Sequence, residues 1–287
     1  MSRSIYVDGR YCPYSAAAVH VEDRGFQFAD SVYEVIEIRD RALIDLTRHL
    51  ARLGRSLSEL AIPSPMPDAA MRHVIIEVAR RNRVHDGIVY LQVTRGAGPR
   101  DFAFPPASQK PTFVCLARPQ SRAKIDAKAA AGVAVKTMPD PRWARCDLKT
   151  VMLLPSVLAK AAAKADDAAE AWFVDEAGFI TEGASSNAWI VDERGALVTR
   201  PTGPQILSGV TRATLKDAAV LEQLEVVERP FTVAEAQGAK EAFFTSASAI
   251  LMPVVRIDGH SIGDGKPGPT AKRLRELFHQ AAEALPF

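Results

Sequence analysis

Apolar and polar side chains alternate strictly over 31–39, with Val32, Glu34, Ile36 and Ile38 on one side and Tyr33, Val35, Glu37 and Arg39 on the other. A period of two predicts a β-strand whose Tyr33, Val35 and Glu37 share a face. The period then changes. Leu46, Leu50, Leu53, Leu57 and Leu60 recur at spacings of 4, 3, 4 and 3, the stripe of an amphipathic helix. A second helix is predicted over 68–82, packing Met71, Val74, Ile75 and Val78. A hairpin over 4–21, turning at Asp8-Gly9, and strand-like runs at 88–95 and 112–117 complete a first α+β unit.

The polar stretch 118–124, with Pro119 and Ser121, separates two apolar strands and predicts a boundary. The expected division is a small N-terminal domain at 1–118, a linker at 119–124 and a larger domain at 125–287. In the second part, strands are predicted at 132–138, 171–175, 179–181, 188–192 and 241–246, and helices at 155–165, 211–224 and 270–284. The 287 residues suit two domains of the usual size, about 150 residues each, or one large one. The fold class expected is α+β.

Composition narrows the function classes. Lys+Arg of 36 against Asp+Glu of 34 gives a net charge of +2, with the basic residues dispersed, which argues against nucleic acid or an anionic membrane as partner. Cys12, Cys115 and Cys146 are odd in number and lack C-x-x-C spacing, which argues for a reducing compartment and against a disulfide framework or zinc knuckle. The histidines are scattered without H-E-x-x-H, so no metal is expected. No signal-peptide core and no run of 18 apolar residues appears, so the chain is expected to be soluble and cytoplasmic.

Chemistry is concentrated in a few stretches. In P-R-W-A-R-C-D-L-K-T-V-M-L-L-P, a polar half ends at Lys149 and an apolar half follows. Partial desolvation and the nearby Arg142 and Arg145 both favour the uncharged, nucleophilic amine that carbonyl chemistry needs. A surface lysine lying over an apolar patch is the competing interpretation. Glu182, in G-F-I-T-E-G-A-S-S-N, is expected at a strand end among small residues, facing a ligand or simply solvent in a turn. In Q-I-L-S-G-V-T-R, the free N–H groups of 209–212 can cradle a phosphate, or Ser208 or Thr211 can cap an ordinary helix. T-S-A-S at 245–248 offers donors to the same anion, and Arg95 and Arg100 flank a turn from which a guanidinium can grip a carboxylate. No P-loop, complete dinucleotide fingerprint or G-x-S-x-G elbow occurs. A lone lysine, a carboxylate, two anion cradles and an arginine loop suit an aldehyde cofactor bearing a phosphate and a ring nitrogen, namely pyridoxal 5'-phosphate.

The sequence resembles the fold-type IV pyridoxal-phosphate enzymes, and among them the D-amino-acid aminotransferases most. The resemblance rests on E-D-R-G-F-Q-F-A-D-S-V-Y-E-V, H-L-A-R-L, Y-L-Q-V-T-R-G, R-W-A-R-C-D-L-K, T-E-G-A-S-S-N, I-L-S-G-V-T-R and F-F-T-S, in the family's order. It implies a small N-terminal and a larger C-terminal domain with a barrel-like sheet, and transamination between an amino acid and a 2-oxo acid. It implies Lys149 as the Schiff-base lysine and proton shuttle and Glu182 as partner of the ring nitrogen. Arg52, Val210, Thr211, Ser246 and Ala247 would be phosphate ligands. Leu207 would support the ring face, and Ser185 and Ser186 would line the cofactor side. Tyr33, Val35 and Arg100 would line the substrate pocket, Arg100 reaching over from the second subunit of a homodimer. Two positions depart from the pattern: Phe102 stands where a histidine is usual, and Ala247 where a threonine is. Branched-chain L-amino-acid aminotransferase, (R)-amine transaminase and aminodeoxychorismate lyase use the same scaffold and remain alternatives.

Overall fold

Pairing in the computed structural model, which describes residues 3–106 and 108–287, follows the alternation of the sequence. The first of two units comprises Met1–Ser121, Leu148–Met152 and Glu283–Phe287. Its strands are β1 (Ser4–Val7), β2 (Arg10–Pro13), β3 (Ser31–Arg39), β4 (Ala42–Ile44), β5 (Gly87–Thr94) and β6 (Thr112–Pro119), joined by a C-terminal strand, Ala284–Pro286. They form one sheet in the order C-terminal strand, β4, β3, β5, β6, β1, β2. Three helices belong here: α1 (Arg24–Phe28), α2 (Leu46–Glu59) and α3 (Asp68–Arg81).

Leu46, Leu50, Leu53 and Leu57 of α2 and Met71, Val74, Ile75 and Val78 of α3 bury against Val32, Ile36 and Ile38 of β3 in one core. The helices therefore cover one face of β3. On the other face Tyr33, Val35 and Glu37 stay half-buried. Asp8 and Gly9 take positive φ at the hairpin turn (41° and 87°), as the dipeptide requires. The hairpin's second strand stops at Pro13, well short of the expected 21, and a short 3-10 turn follows.

The second unit comprises Arg122–Asp147 and Leu153–Ala282. Its elements are α4 (Arg122–Ala131), β7 (Val133–Pro139), α5 (Leu154–Ala165), β8 (Glu170–Val174), β9 (Ile180–Gly183), β10 (Asn187–Val191), β11 (Leu197–Thr199) and α6 (Val210–Leu221). There follow β12 (Val226–Glu228), α7 (Val233–Gln237), β13 (Glu241–Ser246), β14 (Ile250–Ile257), β15 (His260–Ser261) and α8 (Pro269–Ala281). The sheet runs β12-β11-β10-β13-β14-β7-β8-β9, with β15 on β14. It is mixed: β7 pairs parallel with β8 and β14, and β11 with β12. Trp172, Phe231, Ile190 and Ile257 lie in its core.

Two segments that a linear division assigns to 125–287 pack in the first unit. Val151 N donates to Ser31 O (3.1 Å), and Thr150 bridges Val32, so the backbone around Lys149 lies beside the start of β3. Ala284 pairs with Ile44 at the sheet edge. Edge pairing of this kind is made by backbone groups and leaves no local side-chain signature.

Candidate active site

In the first unit, Lys149 is fixed by its own backbone: Tyr33 N donates to Lys149 O at 3.0 Å. Its Nζ stands 4.3 Å from the centre of the Tyr33 ring. Among the described residues this half-buried amine has no hydrogen-bond or ion-pair partner. Within the second unit, Arg142 pairs with Asp140 and Glu182, and Arg145 with Asp147. Tyr33 stacks on Tyr90 with ring centroids 5.6 Å apart. Tyr90 OH donates to Gln92 Oε1 (2.7 Å), and Gln92 Nε2 donates to Ser31 Oγ (2.9 Å). Burial, and then Tyr33 beside it, push the Tyr90 phenol up to about 12. The face of β3 and β5 below Lys149 is thus an aromatic floor with its polar atoms joined to one another.

On the opposite side of β3, Glu34 is fully buried and accepts from Arg52 Nε and Nη2, both at 2.7 Å. His49 Nδ1 lies 2.7 Å from the same carboxylate, and His49 and Arg52 are three residues apart on α2, one turn. Burial alone would raise the Glu34 carboxyl, but the Arg52 charge and bonds, with His49, bring it down to about 2. Burial holds His49 below the ordinary histidine value, helped by the Arg52 and Lys149 charges and opposed by Glu34. The ring is therefore neutral near pH 7, with Nδ1–H donating to Glu34.

In the second unit, Glu182 lies inside β9 rather than in a turn after it, and is buried. Its carboxylate pairs with Arg142 Nη1 and accepts from Asn187 Nδ2 and Leu207 N, each at 3.0 Å. Arg142 also grips Asp140 through Nε (2.9 Å) and Nη2 (2.8 Å). Thr181 Oγ1 donates to the same Asp140 at 2.8 Å. Burial works against both charges of that pair, yet the mutual hydrogen bonds raise Arg142 and lower Asp140 from their ordinary values. Ser185 Oγ (2.8 Å) and Ser186 Oγ (3.1 Å) both donate to Glu170, which Lys160 also approaches at 3.2 Å.

Neither Ser208 nor Thr211 caps α6. The N-cap is Gly209, with no side-chain cap bond, so Val210 and Thr211 begin the helix with amides uncapped by a side chain. A Cβ on Gly209 would come within 2.0 Å of Asn187 Oδ1, so only glycine lets the backbone lie against that amide. Ser246 closes β13 and Ala247 follows it, both half-buried.

The arginine loop divides into two roles. Arg95 is buried and structural, with Nε 2.7 Å from Asp30 and other donors on the carbonyls of Leu60 and Ala61, so it is not a surface group awaiting a carboxylate. Arg100 is exposed, its guanidinium 5.1 Å from the Phe28 ring centre and 5.5 Å from that of the largely exposed Phe102. Sequence reasoning passed over Glu34, His49, Asp140, Glu170 and Asn187. One signal was present: an acidic residue on the apolar side of an alternating strand requires a buried cation partner.

A family model described as amino-transferase class IV matches residues 31–257. The chain is 36% identical over 281 residues to D-alanine aminotransferase of Staphylococcus haemolyticus, covering 98% of each. It is 36% identical over 277 residues to that of Bacillus licheniformis, covering 96% of each. Its structure is similar to the branched-chain amino acid aminotransferase from Escherichia coli (TM-score 0.88, 24% identity, 97% of this chain and 94% of that one). It is similar also to a T.th. branched-chain amino acid aminotransferase with pyridoxamine 5'-phosphate (TM-score 0.89, 26% identity, 98% and 94%). With a fold-type IV architecture and a likeness that runs almost end to end, the chain belongs to the class IV aminotransferases.

Proposed function

We propose that the chain is a pyridoxal-phosphate-dependent D-amino-acid aminotransferase, moving an amino group from a donor such as D-alanine to 2-oxoglutarate or pyruvate in two successive half-reactions. The observation that carries this reading is Lys149: an amine above an aromatic ring with no hydrogen-bond or ion-pair partner among the described residues. An amine so placed is available for bonding to an aldehyde carbon. The full-length likeness to D-alanine aminotransferases supports the donor class.

The residues present suit the cofactor. The uncapped amides of Val210 and Thr211, with Ser246, Ala247 and the charge of Arg52, would bind its phosphate. Glu182, charge-paired and held by two N–H donors, would partner the ring nitrogen, with Leu207 against the ring and Ser185 and Ser186 beside it. When bound, pyridoxal phosphate supplies an electron sink for the substrate α-carbon. Lys149 Nζ would hold the cofactor at rest and, when freed, would be the base that takes the Cα proton and the acid that delivers it two atoms along. Tyr33 and Val35 line the substrate side, and the loop carrying Arg100 and Phe102 is supplied by the partner subunit of a homodimer, Arg100 holding the carboxylate. The three free thiols are consistent with a reducing, cytoplasmic setting.

The structural neighbours favour a second reading, an L-branched-chain aminotransferase. Assaying D-alanine, L-leucine and (R)-1-phenylethylamine separately, each with 2-oxoglutarate, distinguishes them. Turnover of D-alanine is expected, whereas turnover of L-leucine alone would replace the first reading by the second.

A further inference from the structure

The end of β7 brings two acids to one guanidinium. Asp140 follows the strand directly, its N–H donating to Val174 O of β8 at 2.9 Å. In Asp140-Pro141-Arg142, Asp140 Oδ1 accepts from Arg142 N at 3.1 Å, the bond an aspartate makes to the backbone two residues on. That turn delivers Arg142 to Glu182, and its donors are divided unequally. Nε and Nη2 go to the two oxygens of Asp140, Nη2 also reaching Gln205 O (3.1 Å), while Nη1 goes to Glu182. Thr181, the neighbour of Glu182 in β9, fixes Asp140 further through its hydroxyl (2.8 Å). The side chains of Asp140 and Arg142 are each 12% exposed and that of Glu182 6%, so water and salt screen these charges little.

We propose that Asp140 is a positioning residue for the ring-nitrogen site, engaging Arg142 so that Glu182 keeps a net negative charge with which to hold a cationic ring nitrogen. The inference rests on the pyridoxal-phosphate reading, in which Glu182 partners that nitrogen. Two carboxylates and one guanidinium together carry one net negative charge. A protonated ring nitrogen brings the group to neutrality, whereas without Asp140 the same proton would leave a buried positive charge. Burial opposes it, yet the bonds and charge of Arg142 hold the Asp140 carboxyl below its ordinary value, so it is anionic near pH 7. Ionisable groups on the adjoining elements leave this balance in place. Burial pushes the Cys146 thiol up to about 11 and keeps it neutral, while Arg145 pairs with Asp147, Lys160 with Glu170 and Arg200 with Asp175. At an effective dielectric of about 20, a charge one guanidinium away, on the order of 7 Å, changes the affinity for a cation about tenfold or more.

The test compares the dissociation constant of pyridoxal phosphate with that of its 1-deaza analogue, which has the same aldehyde and phosphate but a C–H in place of the ring nitrogen. The wild type, Asp140→Asn and the double variant Asp140→Asn/Arg142→Gln are each titrated with both compounds. Because each protein is its own control, partial loss of fold cancels in the ratio. The wild type should prefer pyridoxal phosphate, and Asp140→Asn should lose about tenfold of that preference. The double variant, again with one net negative charge, should recover it; a merely structural defect would only be worsened by removing the bonds of Arg142 as well. An unchanged preference in Asp140→Asn, or no recovery in the double variant, overturns the role of Asp140 and leaves the aminotransferase intact. Equal binding of both compounds by the wild type would mean that Glu182 does not partner the ring nitrogen, and binding of neither would end the functional reading; this inference fails in both cases.

Discussion

At the scale of single residues, Glu34 has most to lose from acid. Its carboxyl lies near 2 in the fold against an ordinary 4.5, because Arg52 and His49 overcome the cost of burying it. A depressed folded value means that its stabilisation is complete above about 4.5 and is lost as pH falls toward 2, on the order of 3 kcal/mol in all. His49 adds an earlier limb. It is kept neutral in the fold, so the unfolded chain takes up its proton first as pH drops below about 6.5, and stability begins to fall there. Urea midpoints measured across pH should decline in these two stages. His49→Asn, which retains a donor for Glu34, should flatten the upper limb and spare the lower; an unaltered upper limb would show that His49 is not its source. The pairing itself could have been anticipated from Glu34 on the apolar side of the strand. Its partners were harder to see, because Arg52 had a role by resemblance and His49 sits within a leucine stripe.

At the scale of elements, β9, the segment around Arg142 and the start of α6 act together. Arg142 faces two carboxylates, Asp140 and Glu182, in a site where its side chain is 12% exposed. Arg142→Met would leave both acids buried without their cation, at a cost of about 3–5 kcal/mol in chemical denaturation. Adding Asp140→Asn should recover part of that loss, and no recovery would mean the pair is not coupled. Gly209→Ala probes the junction from the other side. Its φ of −63° is comfortable for alanine, so any effect comes from the methyl meeting Asn187 Oδ1 rather than from backbone strain. Since Asn187 donates to both Glu182 and Leu207 O, displacing it should weaken pyridoxal phosphate at least tenfold in an absorbance titration with little change in melting temperature. Unchanged affinity would detach Asn187 from the cofactor site. The small residues of I-L-S-G-V-T-R pointed to a helix start but not to which residue caps it, because capping depends on a neighbour, Asn187, over 20 positions away.

At the scale of the whole molecule, legibility follows the strength of the period. β3 came directly from alternation, and α2 and α3 from helical apolar spacing, within a residue or so at each end. α4 is not predicted, only its first three residues falling in the expected linker, because its only buried side chain is Ala129, so nothing in the pattern betrays a packed face. β14 was passed over: a continuous apolar run containing Pro253 has no alternation to mark it. The placement of Leu148–Met152 in the first unit was invisible for a different reason, since backbone pairing beside β3 makes it. That placement is what sets Lys149 above Tyr33, and the functional account depends on it. The most direct measurement is borohydride reduction of the protein loaded with pyridoxal phosphate, followed by peptide mass mapping. The account predicts one pyridoxyl group per chain, on Lys149, and none in Lys149→Ala. A chain that takes up no cofactor, or carries the label on another lysine, would contradict it.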